Sequence, residues 1–241
     1  MHVKRYRLKY VTNFRDIGGV VGKENKLVRW NTLFRSDKLE KVQSDEWNVL
    51  KDAGVKTVID LRSLEEVATS PDNCPSDITY IRFPLVNEDL SFSNTASPAM
   101  QAFSKSISDG YKNIVLNHGE NIAEVINIIS DSIKMGGVVF HCTSGKDRTG
   151  IVASILYYLL GVDDEDIIAD YQVSHTYNKK TFDLFLKKYP EHNILSEIVL
   201  SDAKNMEEML ELYKKLDIEN YLIQRGLDRE KLSELKEFTL I

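Results

Sequence analysis

The chain is organised around the segment Phe140-His141-Cys142-Thr143-Ser144-Gly145-Lys146-Asp147-Arg148-Thr149-Gly150, which separates an apolar run from a helical pattern. The run before it, Gly137-Val138-Val139-Phe140, is rich in β-branched residues, as expected of a buried parallel strand. After it, apolar residues recur at helical spacing until Gly161. The pattern predicts a strand, a loop and a helix that begins near Arg148 and buries one face.

A loop that enters a helix in this way points unpaired backbone N–H groups, and the positive end of the helix dipole, into the space above it. Such a space binds phosphate. Cys142 at the strand end and Arg148 at the helix start border that space, where they supply a nucleophile and a planar cation with two prongs. The positive field also favours the thiolate form of a cysteine. Together these groups predict nucleophilic attack on phosphorus, with the charge on the equatorial oxygens stabilised by the loop.

Three other interpretations fit this segment less well. A lone cysteine at a strand end is usually inert packing, but a packing cysteine requires neither Gly145 nor the flanking Lys146 and Arg148. A nucleotide-binding P-loop requires a glycine five residues before Gly145 and a serine or threonine directly after Lys146, and neither is present. A Cys–His hydrolase is disfavoured because His141 adjoins Cys142, and neighbouring side chains of a strand point to opposite faces.

The pattern His141-Cys142-x-x-Gly145-Lys146-Asp147-Arg148-Thr149-Gly150 resembles the signature of the cysteine-dependent protein-tyrosine phosphatases. Within that family it resembles the bacterial branch that carries Gly-Lys-Asp-Arg, which includes enzymes acting on phosphotyrosine proteins and on inositol lipids. Four further stretches fit the branch: Asn13 to Gly19, Leu33 to Asp37, Ile59 to Ser63, and Met206 to about Leu235. The resemblance implies an α/β fold, with a central, mostly parallel sheet flanked by helices and a helical C-terminal part.

We expect a two-step reaction in which Cys142 attacks phosphorus to give a phosphocysteine intermediate, and water then releases phosphate. Arg148 and the loop amides would hold the equatorial oxygens, and the resemblance implies these same roles. The proton donor is assigned to Asp147, which the sequence places in the loop between two cations. Its rivals, whose positions depend on tertiary structure, are Asp60, Glu88 and Asp89. The other expected phosphate-binding residues are Thr143, Ser144, Gly145, Lys146 and Thr149. No metal or cofactor is required.

The composition of the 241 residues, 42% hydrophobic and 28% charged, is that of a soluble globular protein without an apolar run long enough to cross a bilayer. The formal net charge of −6 argues against broad binding to nucleic acid or anionic lipid surfaces. The first residues lead into no apolar signal-peptide segment. Cys74 and Cys142 alone indicate neither a disulfide framework nor a zinc site. We expect a cytoplasmic protein with no nucleic-acid partner and no stable membrane insertion.

The N-terminal half alternates helices and strands in the manner of a βαβ sheet. Ser44 is expected to cap a helix that ends at Gly54, and Val55 to Leu61 is expected to form the next strand. If that strand is parallel to the one before the loop, Asp60 and Arg62 emerge at the same carboxyl edge and support the site. The alternative is an Asp–Arg pair that only closes the strand end.

Two polar stretches near the N-terminus are interpreted as structural. Asn13 to Gly19 is too polar for a strand and predicts a turn that holds Arg15 and Asp16. These two residues form either a surface ion pair or an element near the active site. The stretch Arg35-Ser36-Asp37 receives the same interpretation, and neither stretch is expected to be catalytic.

The least regular part of the chain is its middle. Ile78 to Leu85 predicts a strand, whereas 86–112 is long and polar for a connection, which indicates either a lid or insertion over the site or simple decoration. Partial order is indicated by the helical spacing of Met100, Phe103 and Ile107. Ile122 to Ile133 then predicts an amphipathic helix that leads into the catalytic strand.

The C-terminal part is helical by pattern. Asp163 and Asp164 are placed to cap a helix that ends around His175, a residue that the chemistry does not require. The part 181–241 is expected to pack as helices on the core, within a single phosphatase domain that spans 1–241. His141 is expected to order the loop rather than to transfer a proton.

The substrate is the least determined feature. Lys146 adds a second cation beside Arg148, which is compatible with polyphosphorylated ligands such as phosphoinositides. The negative net charge and the missing membrane element favour phosphotyrosine. We therefore expect a phosphotyrosine-directed phosphatase of relaxed, dual specificity, with a phosphoinositide phosphatase as the alternative. Two other classes are a phospho-ligand binding module without turnover and a sulfur-transfer enzyme that carries a persulfide on Cys142.

Overall fold

The computed structural model describes residues 2–88, 98–103, 105–188 and 200–241. Within these ranges the strands are β1 (Arg15–Asp16), β2 (Leu33–Ser36), β3 (Val55–Asp60), β4 (Thr79–Arg82) and β5 (Gly137–His141). The α-helices are α1 (Ser44–Asp52), α2 (Leu64–Thr69), α3 (Pro98–Phe103), α4 (Ile107–Asn117), α5 (Gly119–Ile133), α6 (Arg148–Leu159), α7 (Asp164–Lys188), α8 (Ala203–Leu216), α9 (Ile218–Ile223) and α10 (Arg229–Thr239).

The strands form one sheet in the order β1-β2-β5-β3-β4. β2, β5, β3 and β4 run parallel, and the short β1 is antiparallel to β2. The end of β5 at His141 is level with Ser36 of β2 and Asp60 of β3. The prediction of an α/β fold with a mostly parallel sheet is confirmed. The residues that follow these three strands share the carboxyl edge, where ligands bind in open α/β sheets.

Apolar side chains cover both faces of the sheet. On one face, Val139 of β5 packs in a cluster with Trp47 and Leu50 of α1. On the other face, Val138 and Phe140 of β5 belong to a cluster that includes residues of α5 and α6. Because successive strand residues point to opposite faces, β5 is anchored from both sides. α6 begins where expected but is buried around nearly its whole circumference, so the prediction of one buried face was too narrow.

The polar stretch from Asn13 to Gly19 contains the strand β1 rather than a turn alone. Arg15 and Asp16 are 1% and 0% exposed and do not pair with each other. Arg15 binds Asp170 of α7, whereas Asp16 accepts two backbone N–H groups. Of the two alternatives, the surface ion pair is excluded, because both residues find their partners inside the fold.

Two helix boundaries also differ from the expectations. α1 begins after Gln43, whose backbone N–H donates to Glu46 at 2.9 Å, so Ser44 is not the cap. α7 continues past His175 to Lys188, because neither glycine nor proline interrupts it. Its length was not predicted because several of its buried residues are polar and the apolar pattern is therefore incomplete.

Part of the segment 86–112 lies in the core. Residues 89–97 and 104 fall outside the described part, so the lid expectation is open there, but α4 buries Tyr111 completely. In the C-terminal part, α8, α9 and α10 confirm the predicted helices, and Asp228 caps α10 as expected. No helix within the described ranges combines the length and apolar character that a membrane span requires.

Candidate active site

The loop between β5 and α6 places Cys142 at the carboxyl edge of the sheet. Asp147 is the N-cap residue of α6, and Cys142 is 1% exposed. Gly145 adopts a φ of +66°, and a Cβ atom there would lie 2.3 Å from the carbonyl oxygen of Ser36. The tight turn against β2 therefore requires glycine at this position.

Side chains behind the loop bind its carbonyl groups. Asn13 Nδ2 donates to the carbonyl oxygens of Ser144 and Gly145, at 3.0 and 3.1 Å. Asn178 of α7 donates to the same oxygen of Ser144 at 2.8 Å, and Arg35 of β2 donates to that of Gly145 at 2.7 Å. The C=O and N–H groups of a trans peptide point in opposite directions, so these bonds turn the neighbouring N–H groups toward the other side. The N–H of Gly145, which shares a peptide with the Ser144 carbonyl, donates to no residue that the structure describes, and the same holds for the N–H of Ser144 in the preceding peptide. An anion can accept hydrogen bonds from both.

Two buried arginines and one aspartate lie behind these carbonyls. Asp170 of α7 accepts hydrogen bonds from Arg15 Nε at 2.8 Å and from Arg35 Nη1 at 2.6 Å. Arg15 also donates to Oδ1 of Asn13 at 2.6 Å, which orients the Asn13 amide toward the loop. Burial alone would raise the pKa of Asp170, but the two guanidinium groups lower it well below its usual value. The stretches around Arg15 and Arg35 thus support the loop without facing its open side.

Arg148 is oriented by a glutamate that the sequence analysis did not single out. Its Nη1 and Nη2 groups donate to the two carboxylate oxygens of Glu66, at 2.5 and 2.7 Å, and Thr143 Oγ1 donates to the same carboxylate at 2.5 Å. Glu66 lies in α2, where it also closes a capping box with Ser63. Burial would raise the pKa of Glu66, but Arg148 holds it at about 2. Arg148 Nε forms no hydrogen bond with the described residues, so the guanidinium retains a side-on fork for phosphate.

Replacing Glu66 with glutamine is expected to lower kcat about tenfold, because Arg148 loses the ionic partner that holds it in place. The measurement is kcat and KM for an aryl phosphate, with Glu65→Gln on the exposed side of α2 as the matched control. Because the folded pKa of Glu66 is depressed from 4.5 to about 2, the pair stabilises the fold above about pH 4.5 and ceases to do so as the pH falls toward 2. The unfolding free energies of wild type and variant should converge over that range. Tighter phosphate binding with unchanged kcat would instead show that Glu66 competes with phosphate.

Asp147 is held by two donors that share one of its oxygens. Tyr111 OH donates to Oδ1 at 2.7 Å, and Lys146 Nζ lies 3.0 Å from the same atom. Lys146 is 2% exposed and also donates to the carbonyl oxygen of Leu200 at 3.3 Å. Burial would lower the pKa of Lys146, but Asp147 raises it above its usual value, so the ammonium persists. Of the two cations expected beside Asp147, Lys146 binds it, whereas Arg148 binds Glu66.

His141, Asp60 and Arg62 form a buried cluster with Asp72 next to the loop. Arg62 binds Asp60 at 2.6 Å and Asp72 at 3.0 Å, and Nε2 of His141 lies 2.9 Å from Asp72. Burial would lower the pKa of His141, but Asp72 and Asp60 raise it above its usual value. Nδ1 of His141 lies 3.1 Å from the carbonyl oxygen of Cys142, which places the imidazole against the loop backbone.

The same cluster was considered as a source of the proton donor and as a metal site. Burial would raise the pKa of Asp60, but His141 and Arg62 lower it below its usual value, so Asp60 is unsuited to donate a proton. Asp60, Asp72 and His141 lie close enough to hold a cation, yet the guanidinium of Arg62 already pairs with both carboxylates, and His141 pairs with Asp72. The cluster therefore fits an ion-pair network better than a metal site.

The remaining candidates are spread more widely. Thr149 Oγ1 is buried and has no hydrogen-bond partner within the described ranges. Its hydroxyl can therefore donate to the Cys142 sulfur or to a bound phosphate. Glu88 is half-buried at the edge of the described part, and Asp89 lies outside it. His175 stacks on Phe182 in α7 rather than joining the loop. Cys74 lies half-buried in the loop between α2 and β4.

A nucleophile-bearing loop with open amides and an arginine at the start of the following helix is the arrangement of a cysteine-dependent phosphatase site. The model of the tyrosine phosphatase family matches residues 6–240, and the chain belongs to that family. The resemblance drawn from the loop sequence is confirmed.

Relatives with assigned names agree with this family. A tyrosine-protein phosphatase of Nostoc commune is 32% identical over 59% of this chain and 48% of its own length. A putative tyrosine-protein phosphatase of Cupriavidus necator is 28% identical over 70% of this chain and 62% of its own length. The triple specificity protein phosphatase PtpB of Mycobacterium tuberculosis is 27% identical, over 66% and 65% respectively. The chain thus spans about half to two thirds of the length of these relatives.

Solved structures of P. aeruginosa TpbA are also similar to this chain. One, in complex with pTyr, is 16% identical and covers 64% of this chain and 76% of its own, with a TM-score of 0.37. Another is 17% identical and covers 59% and 68%, with a TM-score of 0.36.

Proposed function

We propose that this protein is a cysteine-dependent phosphomonoester hydrolase that dephosphorylates phosphotyrosine through a phosphocysteine intermediate. The observation that carries the proposal is the placement of Cys142 at the start of a loop with open amides, with Arg148 held at the start of α6 by Glu66. A packing cysteine needs neither feature. Arg148 also lies near enough to Cys142 for the two to interact electrostatically. Burial would lower the pKa of Arg148, but the Glu66 carboxylate and a thiolate at Cys142 raise it above its usual value.

The reaction would proceed in two displacements. The Sγ atom of Cys142 forms a bond to phosphorus while the bond from phosphorus to the leaving oxygen breaks, and Asp147 gives its proton to that oxygen. Arg148 and the loop amides stabilise the charge on the equatorial oxygens. Water then attacks phosphorus and passes a proton to Asp147, and the bond from sulfur to phosphorus breaks. The buried hydroxyl of Thr149 is a candidate donor to the departing sulfur.

Phosphotyrosine is the proposed substrate class, with phosphoinositides as the alternative. The names of the relatives, which include tyrosine-protein phosphatases and a triple specificity phosphatase, support phosphotyrosine with relaxed specificity. The environment of Lys146 supports it as well. Its ammonium is buried against Asp147, so it is better placed to serve the acid than to bind a second phosphate of a lipid headgroup.

The test compares a phosphotyrosyl peptide with a soluble short-chain phosphoinositide, in the presence of a metal chelator. Wild type is expected to release phosphate from both, with the higher kcat/KM for the peptide, and vanadate is expected to abolish release. Lys146→Ala should lower both kcat/KM values by a similar factor of about tenfold, because it acts through Asp147. Lys180→Ala, on the exposed face of α7, is the control and should leave both unchanged.

Other results would point to other functions. A selective loss on the phosphoinositide in Lys146→Ala, or a strong wild-type preference for it, would favour a lipid phosphatase. Binding without release of phosphate would indicate a phospho-ligand binding module, and a transferable persulfide on Cys142 would indicate a sulfur-transfer enzyme.

We also propose that 1–241 acts as one phosphatase domain in a reducing, cytoplasmic environment. The family match across residues 6–240 supports the single domain. The reliance on a free thiol at Cys142 supports the reducing environment, because oxidation would remove the nucleophile.

A further inference from the structure

A line of buried hydroxyl groups leads from the C-terminal helices to Asp147. Tyr111 of α4 is completely buried, and its OH group donates to Oδ1 of Asp147 at 2.7 Å. The OH groups of Tyr111 and Tyr171 lie 2.9 Å apart, and the two rings pack edge to face. Tyr171 of α7 is 1% exposed, and burial raises its pKa, whereas the nearby side-chain amide of Asn205 in α8 lowers it. Three helices thus converge on one carboxyl group.

The hydrogen bonds along this line run in one direction. Tyr111 has a single proton, which it gives to Asp147, so it must accept the proton of Tyr171. Burial raises the pKa of Tyr111 well above its usual range, and the charge of Asp147 raises it further. Tyr111 therefore remains a protonated donor throughout the working range of the enzyme.

The two oxygens of Asp147 have different environments. Oδ1 accepts from Tyr111 and is paired with Lys146, whereas Oδ2 has no hydrogen-bond partner among the described residues. A neutral carboxyl group carries its proton on one oxygen and accepts hydrogen bonds through the other. Because Oδ1 already has two donors, the proton must reside on Oδ2. The side chain of Asp147 is 28% exposed, so this oxygen is not sealed from the open side of the loop.

We propose that Tyr111 is a positioning residue for proton transfer, which together with Lys146 occupies Oδ1 of Asp147 so that Oδ2 is the atom that donates and later accepts the proton. Tyr171 and Asn205 hold Tyr111 in this orientation. The inference rests on the proposed function and deepens it. In the first displacement, the bond from Sγ of Cys142 to phosphorus forms, the bond to the leaving oxygen breaks, and the proton moves from Oδ2 to that oxygen. In the second, Oδ2 takes a proton from the attacking water as the bond from sulfur to phosphorus breaks.

The test uses Tyr111→Phe, which removes the hydroxyl and keeps the ring, on two substrates with different leaving groups. Phenyl phosphate needs protonation of its leaving oxygen, whereas dinitrophenyl phosphate leaves readily without it. Tyr111→Phe is expected to lower kcat about tenfold on phenyl phosphate and about twofold or less on dinitrophenyl phosphate. Added to Asp147→Asn, it should cause no further loss on phenyl phosphate, because the residue acts only through Asp147.

Tyr213→Phe is the matched control. Tyr213 is also completely buried, and its hydroxyl bonds Ser154 instead of the site. It should leave the ratio of the two kcat values unchanged. Tyr171→Phe is the second variant and should shift the ratio in the same direction by a smaller factor, about threefold. It provides the measurement if Tyr111→Phe does not fold.

The possible results distinguish failure of the positioning role of Tyr111 from failure of the proposed phosphatase function. If wild type is active but the Tyr111 variants lose activity equally on both substrates, or add to the loss in Asp147→Asn, the positioning role is overturned and the proposed function stands. If wild type releases no phosphate from either substrate, both are overturned. A changed ratio in the Tyr111 and Tyr171 variants, with an unchanged ratio in Tyr213→Phe, supports the inference.

Discussion

Cys142→Ser is expected to lower turnover by about 10⁴-fold or more while leaving the affinity for a phosphotyrosyl peptide within about threefold of wild type. The thiolate is the nucleophile of the proposed reaction, and a serine hydroxyl in the same place remains protonated at neutral pH. The groups expected to bind the phosphate are separate from the sulfur. They are the loop amides and Arg148, which Glu66 and the side chains behind the loop hold in place. The measurements are single-turnover phosphate release and the peptide Kd.

Cys74→Ser is the control, because it makes the same replacement of sulfur by oxygen at the other cysteine of the chain. Burial, and then the carboxylates of Asp72 and Asp60, raise the pKa of Cys74 to about 12, so this thiol is uncharged at neutral pH. It should react slowly with iodoacetate, and its replacement should preserve activity. Normal turnover by Cys142→Ser, or equal losses in the two variants, would contradict the covalent mechanism.

Most of the site that was predictable from the sequence lies within one short segment. Cys142, Asp147 and Arg148 are neighbours in the chain, so a strand, a loop and a helix start suffice to bring them together. The edge position of Asp60 could be predicted too, since parallel strands end at the same side of a sheet. Its role as an ion-pair partner could not, because that depends on Asp72, which approaches from a separate loop.

The residues that orient the catalytic groups were missed because they are distant in sequence. Glu66 lies 82 residues from Arg148, and Asp170 lies 155 residues from Arg15. One local signal existed for Glu66: the sequence Ser63-x-x-Glu66 is a capping box at a helix start just beyond the strand that ends at Asp60. No such signal marked Tyr111. It belongs to the polar stretch 86–112, whose composition indicated a surface segment, and only the tertiary structure places it beneath Asp147.

Asp170→Asn is expected to lower the free energy of unfolding by about 3–5 kcal/mol, the usual cost of removing one partner from a buried ion pair. Arg15 and Arg35 are each 1% exposed, and burial, followed by the charge of Arg15, lowers the pKa of Arg35. Without the carboxylate, two guanidinium groups would remain buried close together. The melting temperature should fall by about 10 °C for a chain of this size. Activity should fall as well, because Arg35 holds the carbonyl of Gly145 in the phosphate-binding loop.

The matched control for this variant is Asp183→Asn on the same helix, α7. Asp183 pairs with Lys179 at the surface, where the two side chains are 58% and 62% exposed, so its loss should change stability by no more than about 0.5 kcal/mol. The pH dependence gives a second criterion. The folded pKa of Asp170 is depressed, so its contribution is complete above the unfolded value of about 3.9 and is lost as the pH falls through the folded value. The stability difference between wild type and Asp170→Asn should therefore be constant from pH 5 to 7 and shrink in stronger acid. A difference below about 1 kcal/mol at pH 7, or one that grows on acidification, would show that the two arginines do not depend on Asp170 for their burial.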